Sequence, residues 1–402
     1  ITRTVREDKV RQGMLFVGTE TGIYTSLDDG KSWTRMSINL PAVSVVDIKI
    51  KDNDLVIATN GRGLWIMDDI TPLRQQSAEI SAKSAHLYPV SDHTRFGYNW
   101  WIDYVPGGDP GDKKNYFVQN MRPGLTYYEQ GFTPVNGERK RKFIDAGDPK
   151  PLGVVIYFRL SKEPQEISLT ILDANGNAVR NYTKDHMTLK FGDDGTLNGG
   201  MNKFVWDMRH NMVTPVPKRP PTAIRPIVKP GTYQAQLTVD GTTETQSFEL
   251  SIDPRETYTK EDTDARYAFW MEMYQQVEQS TQKVIEAIKI RDEIAEKIKA
   301  LEESGCNVNR AQKQAAVVTD IITQYEGAYV STVRTLAEII NLPATILSKM
   351  AFLSTILEQS EGPPTQSMRE VYAKLVKDSE AADAKYESAI QGELEKLDRI
   401  LK

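Results

Sequence analysis

Ser26-Leu27-Asp28-Asp29-Gly30-Lys31-Ser32-Trp33 is the stretch whose reading decides the fold. Its chemistry is that of a hairpin turn. Asp28 can accept hydrogen bonds from backbone amides of its own turn, and Gly30 supplies the positive φ that a tight turn needs. Trp33 is expected to pack the following strand against the sheet. The flanks agree: residues 13–19 and 21–26 read as two short strands with a glycine-bearing turn between them. Ser26, Asp28, Gly30 and Trp33 are therefore expected to be structural residues of the turn.

The strand pattern continues outward from this hairpin through residue 75. Residues 45–51, 54–59 and 63–67 read as strands, and Asn60-Gly61 is a hairpin turn signal. Arg62, between two glycines, is expected in a constrained setting. The S-x-D-x-G-x-S-W spacing resembles the Asp-box of BNR-repeat β-propellers. Residues 7–75, from Glu7-Asp8-Lys9-Val10-Arg11 through Gly18-Thr19-Glu20-Thr21-Gly22 to Leu64-Trp65-Ile66-Met67-Asp68-Asp69, resemble the last blades of large exported bacterial propeller proteins. These are called sialidase-like, sortilin-like or glycosyl-hydrolase-like. Asn60 departs from the pattern, where relatives commonly carry His.

The resemblance implies that the box lies away from any catalytic centre and names a fold. Five or six strands amount to about one and a half blades, whereas a propeller closes with ~4–8. An open blade edge is rarely left uncovered, so the remaining blades are expected from upstream sequence or a separate chain. The chain opens at Ile1 with no initiator Met, and it is expected to be the C-terminal part of something longer. Extracellular or periplasmic localisation follows from the resemblance.

Bulk composition narrows the function classes. A chain of 402 residues suggests two or three domains. The net charge of −5 argues against nucleic acid as the main partner, and no apolar run approaches the ~18 residues of a membrane span. The single cysteine, Cys306, excludes an internal disulfide framework and a cysteine-built metal site. His86, His93, His186 and His210 show no close metal-ligand spacing. No metal and no cofactor are expected.

Residues 76–150 read as a long connection of little periodicity, rich in glycine and aromatics. They carry a basic run, Arg139-Lys140-Arg141-Lys142. The first reading of these aromatics is as glue between the propeller and the next domain. The alternative is a stacking surface for a glycan or peptide, with Tyr98, Trp100, Trp101 and Tyr104 as candidate stacking residues, since flat amphipathic rings suit such ligands. Neighbours in an extended segment point to opposite sides, so one of Trp100 and Trp101 is expected to be buried and the other exposed.

Residues 151–254 return to strands, separated by turn signals at the spacing of an Ig- or fibronectin-like sandwich. Ile171-Leu172-Asp173, residues 202–209 and Lys229-Pro230-Gly231-Thr232-Tyr233 resemble the FlgD-type Ig-like domain. Trp206 is a core residue, Asp207 with Arg209 reads as a strand-end ion pair, and residues 215–230 form a proline-stiffened excursion. From residue 255 the hydrophobic period becomes 3.6. Thr259-Lys260-Glu261-Asp262 resembles a capping box, Gly305 a helix stop and Pro343 a second boundary. Stripes spaced by three and four give an antiparallel helical bundle, whose longest helices reach ~55–65 Å.

The expected architecture is thus multidomain: incomplete propeller blades (1–75), an aromatic-rich linker (76–150), an Ig-like β-sandwich (151–254) and a helical bundle (255–402). No nucleophile elbow, P-loop, HExxH or dinucleotide fingerprint is present. Glycosidase chemistry needs two carboxylates facing one sugar ring, and Asp28, Asp29, Asp68 and Asp69 all sit at turns or strand ends. No catalytic residue is assigned. Two readings follow: a non-catalytic portion of an exported propeller protein that binds or assembles with macromolecules, or the accessory region of a sialidase-like glycoside hydrolase whose site lies in other blades.

Overall fold

The computed structural model of the chain describes residues 1–36, 38–96, 116–121, 124–132, 139–143, 147, 151–188, 190–191, 194–195, 197, 199–219, 222, 224–331 and 343–401. They form several antiparallel sheets and a C-terminal helical region, and no sheet among the described residues closes into a barrel or a propeller. Two compact units result. One holds Ile1–Asp92, the described residues from 116 to Asp207, and Tyr233–Phe248. The other holds residues 93–96, Met208–Thr232 and the described residues from Glu249 onward.

In the first unit, β1 (Thr2–Glu7), β2 (Leu15–Thr19), β3 (Gly22–Ser26) and β4 (Thr34–Arg35) form a four-stranded sheet in chain order. β5 (Val45–Lys51), β6 (Asp54–Thr59) and β7 (Leu64–Met67) form a second sheet of three. The strand expected after Trp33 is β4, only two residues long, while β1 was not delimited in the sequence because it buries only Thr4. The sheets share one core of Met14, Phe16 and Ile23 from the first with Val45, Ile48, Leu55 and Ile57 from the second. Gly18 lies at the closest approach, where an added Cβ would stand 2.7 Å from Val45 Cγ1 and 2.8 Å from the Val45 carbonyl oxygen. A buried ion pair locks the arrangement. Arg74, on the short helix α1 (Thr71–Gln75), donates to both oxygens of Asp8 at 3.0 and 2.9 Å.

The stretch 76–150 carries strands that periodicity did not reveal. β8 (Ala85–Leu87) and β9 (His93–Arg95) are short. β10 (Tyr116–Met121), β11 (Gly124–Phe132) and β12 (Arg139–Phe143) pair antiparallel in succession, with Tyr116 opposite Glu129 and Tyr128 opposite Phe143. Their sequences, YFVQNM, GLTYYEQGF and RKRKF, do not alternate apolar with polar residues, so the usual strand signal is missing.

β13 (Val154–Leu160), β14 (Ile167–Asp173) and β15 (Ala178–Thr183) begin the next layer; helix α2 (Ala78–Ala82) precedes them in the chain. After the single turn α3 (Lys184–Met187) and the two-residue strands β16 (Lys190–Phe191) and β17 (Asp194–Gly195) come β18 (Gly200–Trp206), β19 (Gly231–Val239) and β20 (Thr242–Ile252). One sheet runs β18-β13-β8 and the other β15-β14-β19-β20. Strict alternation of buried and half-buried residues in β13 marks a strand with one face on a core. Trp206 joins the two sheets: it is fully buried, with ring centroids 5.6 Å from Tyr233 and 6.1 Å from Phe248.

The second unit is built on α4 (Lys260–Glu303), α5 (Asn309–Tyr329), α6 (Ile346–Glu358) and α7 (Gln366–Leu401). Thr259 and Asp262 close the expected capping box, and Gly305 takes a φ of 82° just past the end of α4. Side-chain pairs fix the helix directions. Arg266 and Trp270 bond the Leu357 carbonyl and Ser354, and Gln314 and Tyr325 meet Glu393 and Asp383, so α4/α6 and α5/α7 run antiparallel. Phe269 meets Tyr372, and Lys283 meets Asp383, so α4 and α7 run parallel. The bundle therefore departs from a purely antiparallel one. Val216, Ile224 and Ile227 of the proline-rich excursion, with Val213 just before it, belong to the helical core. At the end of β20, Leu250–Ile252 pairs in parallel with β9.

Candidate functional site

The hairpin that opened the sequence reading is closed by side chains. Ser26, almost fully buried, donates through Oγ to Asp28 Oδ1 at 2.8 Å and accepts from the Gly30 amide at 2.9 Å. Asp28 then accepts from the Ser32 amide at 2.8 Å and the Ser32 hydroxyl at 2.6 Å. The Ser32 hydroxyl, the Ser32 amide and Ser26 together hold the Asp28 carboxyl down at about 2, because all three favour its charged form. Asp29 and Gly30 both adopt positive φ, 60° and 79°. Gly30 is thus not alone in the left-handed region. Aspartate is among the residues that tolerate it.

Trp33 is 42% exposed and lies beside Gly30, its Cζ2 3.7 Å from where a Cβ on that glycine would stand. Both carboxylate oxygens of Asp28 are thus turned into its own loop and close the turn. Arg62 is also exposed. The constraint falls on its backbone, between Gly61 and Gly63 at φ 90° and 67°, where its carbonyl accepts from Trp65 Nε1 at 3.0 Å.

Tyr98, Trp100, Trp101 and Tyr104, the candidate stacking residues, lie outside the described residues. Of the other linker aromatics, Tyr128 is buried and Tyr127 is half exposed. Among the described residues no group of three or more His, Cys, Asp or Glu could hold a metal ion, and no helix is long and apolar enough to cross a membrane.

Two features escaped the sequence reading. The first is an apolar surface on the second sheet: Leu64 is 74% and Ile66 62% exposed. The second is a buried charge cluster in the helical unit. Glu361 accepts from Arg95 and from Arg266 (3.1 Å), and Glu358 accepts from Arg209. Burial lowers the Arg266 guanidinium to about 10 against the pull of Glu361, with Arg95 adding to the fall. Arg266 stacks over Trp270 at 4.9 Å, which partly compensates its charge. These residues are far apart in sequence, so no local spacing announces them. The cluster joins α4, α6 and the residues after α6 to β9, and acts as a structural tie.

No family model matches the chain, and no curated protein matches it. Among solved structures, CopC from Methylosinus trichosporium OB3b overlaps 28% of this chain and 85% of its own, at 20% identity and a TM-score of 0.15. The extracellular domain of the B. thetaiotaomicron one component system BT4673 overlaps 63% of this chain, at 12% identity and a TM-score of 0.15. The chain spans about a third (31%) of that domain's length. At such scores neither overlap defines a common fold.

Proposed function

We propose that this chain is the non-catalytic C-terminal portion of an exported Asp-box propeller protein that acts in macromolecular binding or assembly. Residues 1–75 are its terminal blades, the β18-β13-β8 and β15-β14-β19-β20 pair an Ig-like sandwich of the FlgD type, and α4–α7 its helical appendage. Its partners are the remaining blades, with a glycan or protein as ligand of the completed molecule, outside the cell or in the periplasm. The observation that carries this reading is the Ser26–Asp28–Ser32 network. It accounts for every specified polar residue of the box as turn chemistry and leaves none of them for a reaction.

The test is turnover. The complete protein, purified with its further blades from the cells that make it and incubated with aryl glycosides and sialosides, is expected to release no aglycone. Release that persists through purification would overturn the non-catalytic reading and favour a glycoside hydrolase.

A further inference from the structure

The two N-terminal sheets are copies of one pattern. Leu15-Phe16-Val17-Gly18-Thr19 corresponds to Leu55-Val56-Ile57-Ala58-Thr59, and Gly22-Ile23-Tyr24 to Gly63-Leu64-Trp65, the second copy having one more residue in its turn. The registers agree: Gly18 faces Ile23 and Phe16 faces Thr25, as Ala58 faces Leu64 and Val56 faces Ile66.

Equivalent residues have opposite surroundings. Ile23 is 2% exposed and Phe16 is fully buried, because the second sheet lies on them. Leu64, the counterpart of Ile23, is 74% exposed. The second sheet thus covers the first and turns the same face outward, with Leu64 and Ile66 exposed and Val56 and Ala58 half-buried. The small residue recurs as well, with Gly18 admitting Val45 of the next sheet and Ala58 standing at its equivalent.

The edges repeat this contrast. In the first sheet the Ile23 carbonyl accepts from the Met36 amide beside β4 at 3.1 Å. In the second, the Thr59 amide donates to the Gly63 carbonyl at 3.1 Å. In an antiparallel ladder the alternate residues, Leu64 and Ile66, then direct their backbone groups away from β6. Among the described residues no strand pairs with that edge. β7 reads LWIM, with no lysine or proline to guard it, although exposed edges are ordinarily blunted in that way.

From this continuity we infer that the β7 edge and the Val56–Ala58–Leu64–Ile66 face are an interface for a further sheet of the same repeat. That sheet packs on the face as the second packs on the first, and an antiparallel strand adds to β7 as β4 adds to β3. The inference deepens the proposed partner, and rests on that reading only in calling the sheet a blade.

The test places a photo-crosslinking phenylalanine analogue at Ile66 of the full chain, in the cells that make the protein, with the same analogue at exposed Val371 of α7 as control. The captured peptide is read by mass spectrometry. Capture from position 66, and not from 371, of a peptide carrying the strand-turn-strand repeat is the expected result. No adduct, an adduct to position 66 of a second copy, or a peptide lacking the repeat would each overturn the inference. The aryl-glycoside assay is independent of these outcomes. Turnover together with capture of a repeat would leave the interface standing and remove only the non-catalytic reading.

Discussion

Substituting Gly18 by alanine probes the sheet-on-sheet contact on which the account of the N-terminal region rests. The added Cβ would stand 2.7 Å from Val45 Cγ1, 2.8 Å from Thr4 Cγ2 and 2.8 Å from the Val45 carbonyl oxygen. The two methyls can rotate away, but the carbonyl belongs to the backbone of β5 and moves only with the sheet. Overpacking of this kind costs ~1–3 kcal/mol. At ~1.4 kcal/mol per tenfold, amides opening with the two sheets should exchange about 5- to 150-fold faster. Hydrogen exchange followed over β2, β3 and β5 reads this locally, while the helical unit serves as an internal reference. Ala58→Val, at the equivalent half-buried place on the outward face, should change exchange by no more than about twofold, as substitutions away from a packed core do. Equal effects at 18 and 58, or none at 18, would refute the packing argument.

Three further outcomes follow. Trp206→Ala should cost ~3–5 kcal/mol, seen as a lower urea midpoint for the unit holding Tyr233 and Phe248; a loss below ~1 kcal/mol would remove the indole from the sandwich core. Asp28 has a carboxyl depressed to about 2 from 3.8, so its contribution is present above pH 3.8 and is lost as pH falls through 2. Exchange protection of the 26–33 hairpin should fall in that window in the wild type, and the fall should be absent in Asp28→Ala. Glu361→Leu leaves Arg95 and Arg266 without the carboxylate they share, and should destabilise the helical unit by ~3–5 kcal/mol. A neutral effect by urea denaturation would make that pair dispensable.

What was legible in the sequence was what short-range chemistry specifies. The turn at Ser26–Trp33, the capping box at Thr259–Asp262, the stop at Gly305 and the core role of Trp206 each depend on a few neighbouring residues. Strands without alternation, such as β10–β12, carry no such mark. Neither does the Arg95–Arg266–Glu361 tie, whose members are separated by more than 90 residues and meet only once β9, α4 and the segment after α6 are assembled. The turn itself was legible, but not the hydrogen bonds that close it. Its hub is the Ser26 hydroxyl, which bonds both Asp28 and the Gly30 amide. The bare face of Leu64 and Ile66 became visible as a feature only by comparing the burial of equivalent positions in the two sheets.

The central claim is that the two N-terminal sheets are the terminal blades of a larger assembly. Electron cryomicroscopy of the protein purified from the cells that make it tests this most directly. The account predicts further sheets of the same repeat stacked on Val56, Ala58, Leu64 and Ile66, with a strand added to β7. A structure in which that face meets solvent, or a second copy of itself, would contradict it.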